Sequence, residues 1–121
     1  MRAEAVILVT LLGVVAAGPG YAVFDFGEDL KDFCTPSTPT HNVERCLGYI
    51  TGAFDMLELH EVAIGPDGEA PKKTVCVPKG KTNVDVGQVV ISYIYDNPGE
   101  LNLPAAALIA NALVKDFPCP K

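Results

Sequence analysis

The clearest periodic signal lies in the middle of the chain. Val43, Cys46, Leu47, Ile50, Phe54 and Leu57 recur at steps of three and four, which puts their side chains on one face of an α-helix. Asn42 stands just before them, where its side-chain oxygen can cap a first-turn N–H. The pattern predicts a helix from Val43 to about His60. Gly48 and Gly52 fall inside it. Each costs about 1 kcal/mol against Ala in a helix interior, so the expectation is that another backbone packs close against them in the core.

Three shorter segments carry the same period. Phe26, Leu30 and Phe33 predict a helix over 26–34, with Glu28 and Asp29 in its first turn and Pro36 beyond its end. Val86, Val89, Val90, Tyr93 and Ile94 predict a third helix. Thr82 or Asn83 caps it, Thr82 and Asp85 approximate a capping box, and Asn97-Pro98-Gly99 stops it. A fourth helix starts at Leu103-Pro104, with the proline in its first turn, and carries Ala105, Leu108, Ile109, Ala112 and Leu113 as far as Pro118. Between the second and third helices, Glu61 to Val75 loses the period and contains the turn-rich run G-P-D-G-E-A-P. Val62, Ile64, Val75 and Val77 flank that run and allow a short β-hairpin. The predicted fold class is all-α, a small disulfide-bonded bundle of about four helices.

One apolar run belongs to none of these helices. Ala5 to Ala17 is 13 positions without a charge. A membrane span needs about 20, whereas the core of a secretory signal is this short. Arg2 supplies a basic flank, and Gly20 and Ala22 fit the small-residue positions of a cleavage site. The expectation is a signal peptide over 1–22, cleaved after Ala22, and a mature domain over 23–121 that is exported and not held in a membrane. This segment inflates the 49% hydrophobic content.

The net charge of −6 and pI near 4.7 argue against nucleic-acid binding, because Lys72 and Lys73 are the sole adjacent basic pair. The four cysteines, Cys34, Cys46, Cys76 and Cys119, change the picture more. An even number in a short exported chain reads as two disulfides. None is close enough to another to form the C-x2-C pair of a zinc site, so no metal is expected. Three pairings exist. Antiparallel neighbours joined by short loops favour Cys34–Cys46 and Cys76–Cys119, with the other two pairings open.

Candidate chemistry is sparse. His41 sits in a Pro/Thr loop and His60 near a helix end, and both read as solvated. No nucleophile elbow, zinc-protease motif or phosphate loop occurs. No cofactor and no enzymatic activity are expected. Asp55, Glu58 and Glu61 lie three apart and read as an acidic ridge, either merely solvated or a steering patch for a basic partner.

A specific feature set is C-L-G-Y-I-T-G-A-F-D at Cys46–Asp55, C-V-P at Cys76–Pro78, G-Q-V-V-I-S-Y-I-Y-D-N-P at Gly87–Pro98 and L-P-A-A-A-L-I-A-N-A-L-V-K-D-F-P-C at Leu103–Cys119. In this order the chain resembles the Rap/Tai family of immunity proteins associated with type VI secretion. The motif positions that the resemblance implies are Cys46, Gly48, Tyr49, Gly52, Asp55, Cys76, Pro78, Gln88, Pro98 and Cys119. The resemblance implies a periplasmic, helical, disulfide-bonded protein, often a homodimer. It also implies that the protein binds a secreted peptidoglycan amidase effector and blocks its active-site cleft with a protruding loop and nearby helix surface. On that reading Glu61 to Val75 is the contact loop, with Asp67, Glu69 and Lys72 as contact residues beside Asp55 and Glu58. Two rivals are a general chaperone-like periplasmic binder and a small hydrolase using Asp55 and Glu58.

Overall fold

The computed structural model describes residues 25–62, 67–69 and 71–121. The expected signal peptide over 1–22 and the expected cleavage after Ala22 lie outside the described residues, as does Ile64. Four α-helices are described: α1 Gly27–Cys34, α2 Val43–Val62, α3 Asn83–Asp96 and α4 Ala105–Asp116, with a single 3-10 turn Pro98–Glu100 between the last two. Every helix touches the other three. One apolar cluster results, centred on Leu30, Ile50, Val90, Ile94, Leu108, Ile109 and Leu113.

The helix starts follow local chemistry. Asn42 Oδ1 accepts from Arg45 N–H at 2.8 Å and caps α2. At α3 the capping box is complete: Thr82 Oγ1 accepts from Asp85 N–H at 3.2 Å, and Asp85 Oδ2 accepts from Thr82 N–H at 2.7 Å. The α1 start is satisfied through tertiary contacts. Gly27 N–H donates to Leu103 O at 2.9 Å and Glu28 N–H to Leu101 O at 3.0 Å, while Ala105 N–H at the α4 start donates to Asp25 O at 3.0 Å. The first N–H groups of α1 are therefore satisfied by the chain just before α4, and the first N–H of α4 by the chain just before α1. Pro104 is the residue before α4, not part of its first turn. Its backbone, with ψ of 135°, is not helical.

Both expected disulfides form, Cys34–Cys46 and Cys76–Cys119, with Cα–Cα distances of 5.0 and 4.9 Å. The first joins the end of α1 to the start of α2. The second joins the segment before α3 to the chain just past α4.

Three expectations need correction. No strand is described. Val62 is the last residue of α2, and Val75 forms an isolated bridge to Pro118 in place of a hairpin partner. The chain after α4 is the nearer edge, and the Cys76–Cys119 bond fixes it there. Gly48 and Gly52 are not packed in the core: both are exposed, and a Cβ on either would meet nothing within 4 Å. The close approach falls at Gly27, where a Cβ would lie 2.8 Å from the Leu101 backbone. Val43, on the expected buried stripe, is 55% exposed because α2 has only begun to enter the core at its first turn.

Candidate functional site

The end of α2 and the segment returning toward α3 meet at a two-sided strap. On one side, Cys76 N–H donates to Phe117 O at 2.8 Å and Cys119 N–H donates to Thr74 O at 3.3 Å. The Cys76–Cys119 bond locks that pairing. On the other side stands Glu61, in the last turn of α2 and only 6% exposed. Its Oε1 accepts from Thr74 Oγ1 at 2.6 Å, Thr74 N–H at 2.9 Å and Val75 N–H at 3.3 Å. Its Oε2 is buried with no hydrogen-bond partner among the described residues. Burial pushes the Glu61 carboxyl upward. The Thr74 and Val75 hydrogen bonds and the nearby Lys73 ammonium outweigh burial and hold it below the ordinary glutamate value.

Thr74–Cys76 is thus gripped from both faces. The loop residues described between this strap and α2 are all exposed. Asp67 Oδ1 accepts from Glu69 N–H at 3.1 Å, a local turn that Gly68 completes with φ of 79°. Lys73 Nζ pairs with Glu58 Oε2 at 3.1 Å and ties the loop back to α2. Lys72, beside it, is exposed.

The acidic ridge does not exist as one surface. Steps of three along a helix drift around the axis, and the three carboxylates end in different surroundings. Glu61 is buried under the strap and Glu58 is paired with Lys73. Asp55 is exposed and lines a groove of about 390 Å³ with Phe54, Val77, Pro78 and Lys79. Glu58 is therefore joined to the loop candidates through Lys73, whereas Asp55 lies on the rim of that groove. Glu61 and Lys73, which organise the loop base, were not among the expected contact residues. Their partners lie 13 to 15 positions away, a distance at which no local pattern operates.

Two further surfaces accompany this corner. A groove of about 370 Å³ lies over the Cys34–Cys46 disulfide, lined in part by His41, Val43, Leu47, Val84 and Ile91. The exposed glycines Gly48 and Gly52, with Tyr49, Ala53, Met56 and Ala106, border a shallow depression. Both histidines are exposed. Among the described residues no cluster of three metal-ligating side chains occurs, and no helix is long and apolar enough to cross a membrane.

A family model described as Rap1a immunity proteins matches residues 26–119. No curated protein and no solved structure matches the chain. The matched span begins at the residue before α1 and ends at the last cysteine, so it takes in all four helices and both disulfides. An immunity protein acts by binding a cognate toxin effector and has no enzymatic activity of its own. With most of its length inside that match, the chain belongs to the Rap1a immunity protein family.

Proposed function

We propose that this protein is exported behind a signal peptide cleaved after Ala22. In the periplasm it binds, one to one, a peptidoglycan amidase effector delivered by type VI secretion. Two disulfides in a chain of this size suit an oxidising compartment. Inhibition is steric: the loop carrying Asp67, Glu69 and Lys72 enters the amidase cleft, and the α2 surface at Glu58 and Asp55 flanks it. The protein acts as a homodimer, so each copy presents one loop.

The single observation that carries this reading is the build of the loop base in a member of an immunity family. Asp67, Glu69 and Lys72 are exposed on a turn whose returning limb is fixed by a buried carboxylate and a disulfide. Binding groups on a loop held by a rigid scaffold are a common arrangement for recognition.

The test is capture of secreted amidases of the same organism by the oxidised protein, followed by a peptidoglycan hydrolysis assay. The expected result is a stoichiometric complex with hydrolysis abolished. Alanine at Asp67, Glu69 and Lys72 together is expected to weaken that complex at least tenfold, equivalent to about 1.4 kcal/mol. Unchanged binding in the triple variant would remove the loop from the contact surface, and sedimentation of the free protein as a monomer would remove the dimer.

A further inference from the structure

We propose that Glu61 is the positioning residue of the contact loop: its buried carboxylate latches the returning limb at Thr74 and Val75 and presents the loop pre-organised. The inference rests on the reading of that loop as the toxin contact. Three donors from two consecutive residues converge on one oxygen of Glu61, at 2.6, 2.9 and 3.3 Å. Two of them are backbone N–H groups that neither a helix nor a sheet ladder satisfies, so the latch sets the path of the main chain itself.

The latch is placed where it has leverage. Lys73, the residue before the latch, is exposed and paired with Glu58. Val75, the second latched residue, is fully buried and bridges to Pro118. The transition from loop to core therefore occurs across Thr74, and Glu61 holds that residue by both its N–H and its hydroxyl. The other foot is the α2 helix that carries Glu61. Fixing one foot to the other restricts the loop before any partner arrives, and binding then has less conformational entropy to remove.

The arrangement also has a cost that packing alone does not explain. Glu61 Oε2 is buried without a donor among the described residues, and a buried polar atom left unpaired is unfavourable. An apolar side chain at this position would avoid that cost but would release both N–H groups of the limb. The carboxylate is the group that takes all three donors.

Trypsin reads the latch directly, because Lys73–Thr74 is the bond beside it, while Lys79 and Lys81 lie outside it on the same chain. Cleavage follows the population of the locally opened state. Glu61→Ala is expected to speed cleavage at Lys73 by about tenfold to a hundredfold, the range for losing hydrogen bonds to a charged group. Thr74→Val, which removes one donor, is expected to speed it roughly fivefold. Glu61→Gln keeps an acceptor and should fall between wild type and Glu61→Ala. Cleavage at Lys79 and Lys81, and amide protection in α3 and α4, should stay unchanged.

Unaltered cleavage at Lys73 in both Glu61→Ala and Thr74→Val would overturn the latch. Equal acceleration at Lys73, Lys79 and Lys81 would also overturn it, since Glu61 would then hold the whole fold and not one limb. With the amidase recovered by capture, Glu61→Ala should weaken binding about tenfold, and full affinity despite a loosened limb would overturn pre-organisation. If Glu61→Ala opens Lys73 but the Asp67, Glu69 and Lys72 alanine variants bind the amidase normally, the loop reading fails and the latch stands.

Discussion

The two disulfide-bonded corners of this protein are built on different principles. At the α1–α2 corner the bonded cysteines are 12 positions apart, and the contacts that brace them join α1, the residues flanking it and α2. Asn42 caps the helix that follows it, and Arg45 stacks over the Phe33 ring at 4.3 Å while pairing with Asp25 at 3.0 Å. At the strap corner the cysteines are 43 positions apart. There the backbone of one segment pairs with the chain past α4, and a carboxylate from a third element closes the other side. The contacts named at the first corner lie within one stretch of chain, residues 25–46. The second exists only once α2 and α4 are both in place, which suits a base for an exposed loop: its geometry is set by the whole core.

The largest expected effect separates these corners. In the chain-entropy account, closing the longer loop contributes about 4 kcal/mol and the shorter about 3 kcal/mol. Paired Cys76→Ser/Cys119→Ser should therefore lower unfolding free energy more than Cys34→Ser/Cys46→Ser, measured by urea denaturation of each double variant. It should also loosen the limb that Glu61 holds, so trypsin cleavage at Lys73 rises in the first variant and not in the second. Equal losses and equal cleavage would mean that the two corners do not differ in kind.

The same division explains what could be read from the sequence. The four helices, the Asn42 cap and the Thr82–Asp85 box are local patterns, and local patterns are legible. Helix order favours the cysteine pairing that forms, without excluding the other two. The hairpin expected at Val62 and Val75 failed because strand pairing is decided by which edge is near, and the nearer edge here was the chain after α4. Glu61 looked like one more solvated carboxylate, since its three donors become neighbours only through tertiary structure. The glycines misled for a related reason. A glycine within a helix signals close approach, but the sequence does not say which glycine is approached.

Gly27 sharpens that point with the next largest effect. A Cβ there would sit 2.8 Å from the Leu101 Cα and 2.9 Å from its carbonyl oxygen, and backbone cannot step aside as a side chain can. Gly27→Ala should cost about 1–3 kcal/mol, the usual penalty of overpacking, and should disturb the Gly27–Leu103 and Glu28–Leu101 hydrogen bonds. Thermal unfolding and amide exchange at Gly27 and Glu28 measure this.

Acid provides a third probe. The carboxyls of Glu61 and Asp85 are both held low: Glu61 by the bonds that outweigh its burial, Asp85 chiefly by the Thr82 N–H and hydroxyl. A group whose pKa is lower folded than unfolded contributes stability that is present above the unfolded value, about 4.3 for glutamate and 3.9 for aspartate. That stability is lost as pH falls through the folded value. Stability should therefore decline on the acid side of this window. Glu61→Gln should flatten the decline at the strap corner, and Asp85→Asn at the α3 start. Urea midpoints collected between neutral and strongly acid pH separate the two, and parallel curves for Glu61→Gln and wild type would mean that the latch is not ionic.

The smallest effect has the opposite sign. Gly48 and Gly52 lie within α2, are exposed, and have open space where a Cβ would go. Alanine at either position restricts the unfolded chain and meets no obstacle in the folded one, so each substitution should stabilise by about 0.4–1 kcal/mol. The contrast with Gly27→Ala is the useful quantity, because the same change on two helices should move the unfolding midpoint in opposite directions. A loss of stability in Gly48→Ala or Gly52→Ala, measured on dilute protein, would mean that this face of α2 is covered within the chain. A gain on dilute protein that shrinks as concentration rises would instead place the covering backbone on a second copy. In that case the two glycines are kept for a contact between copies and not for the fold of one, and the cost of holding them in a helix is met only in the assembled state.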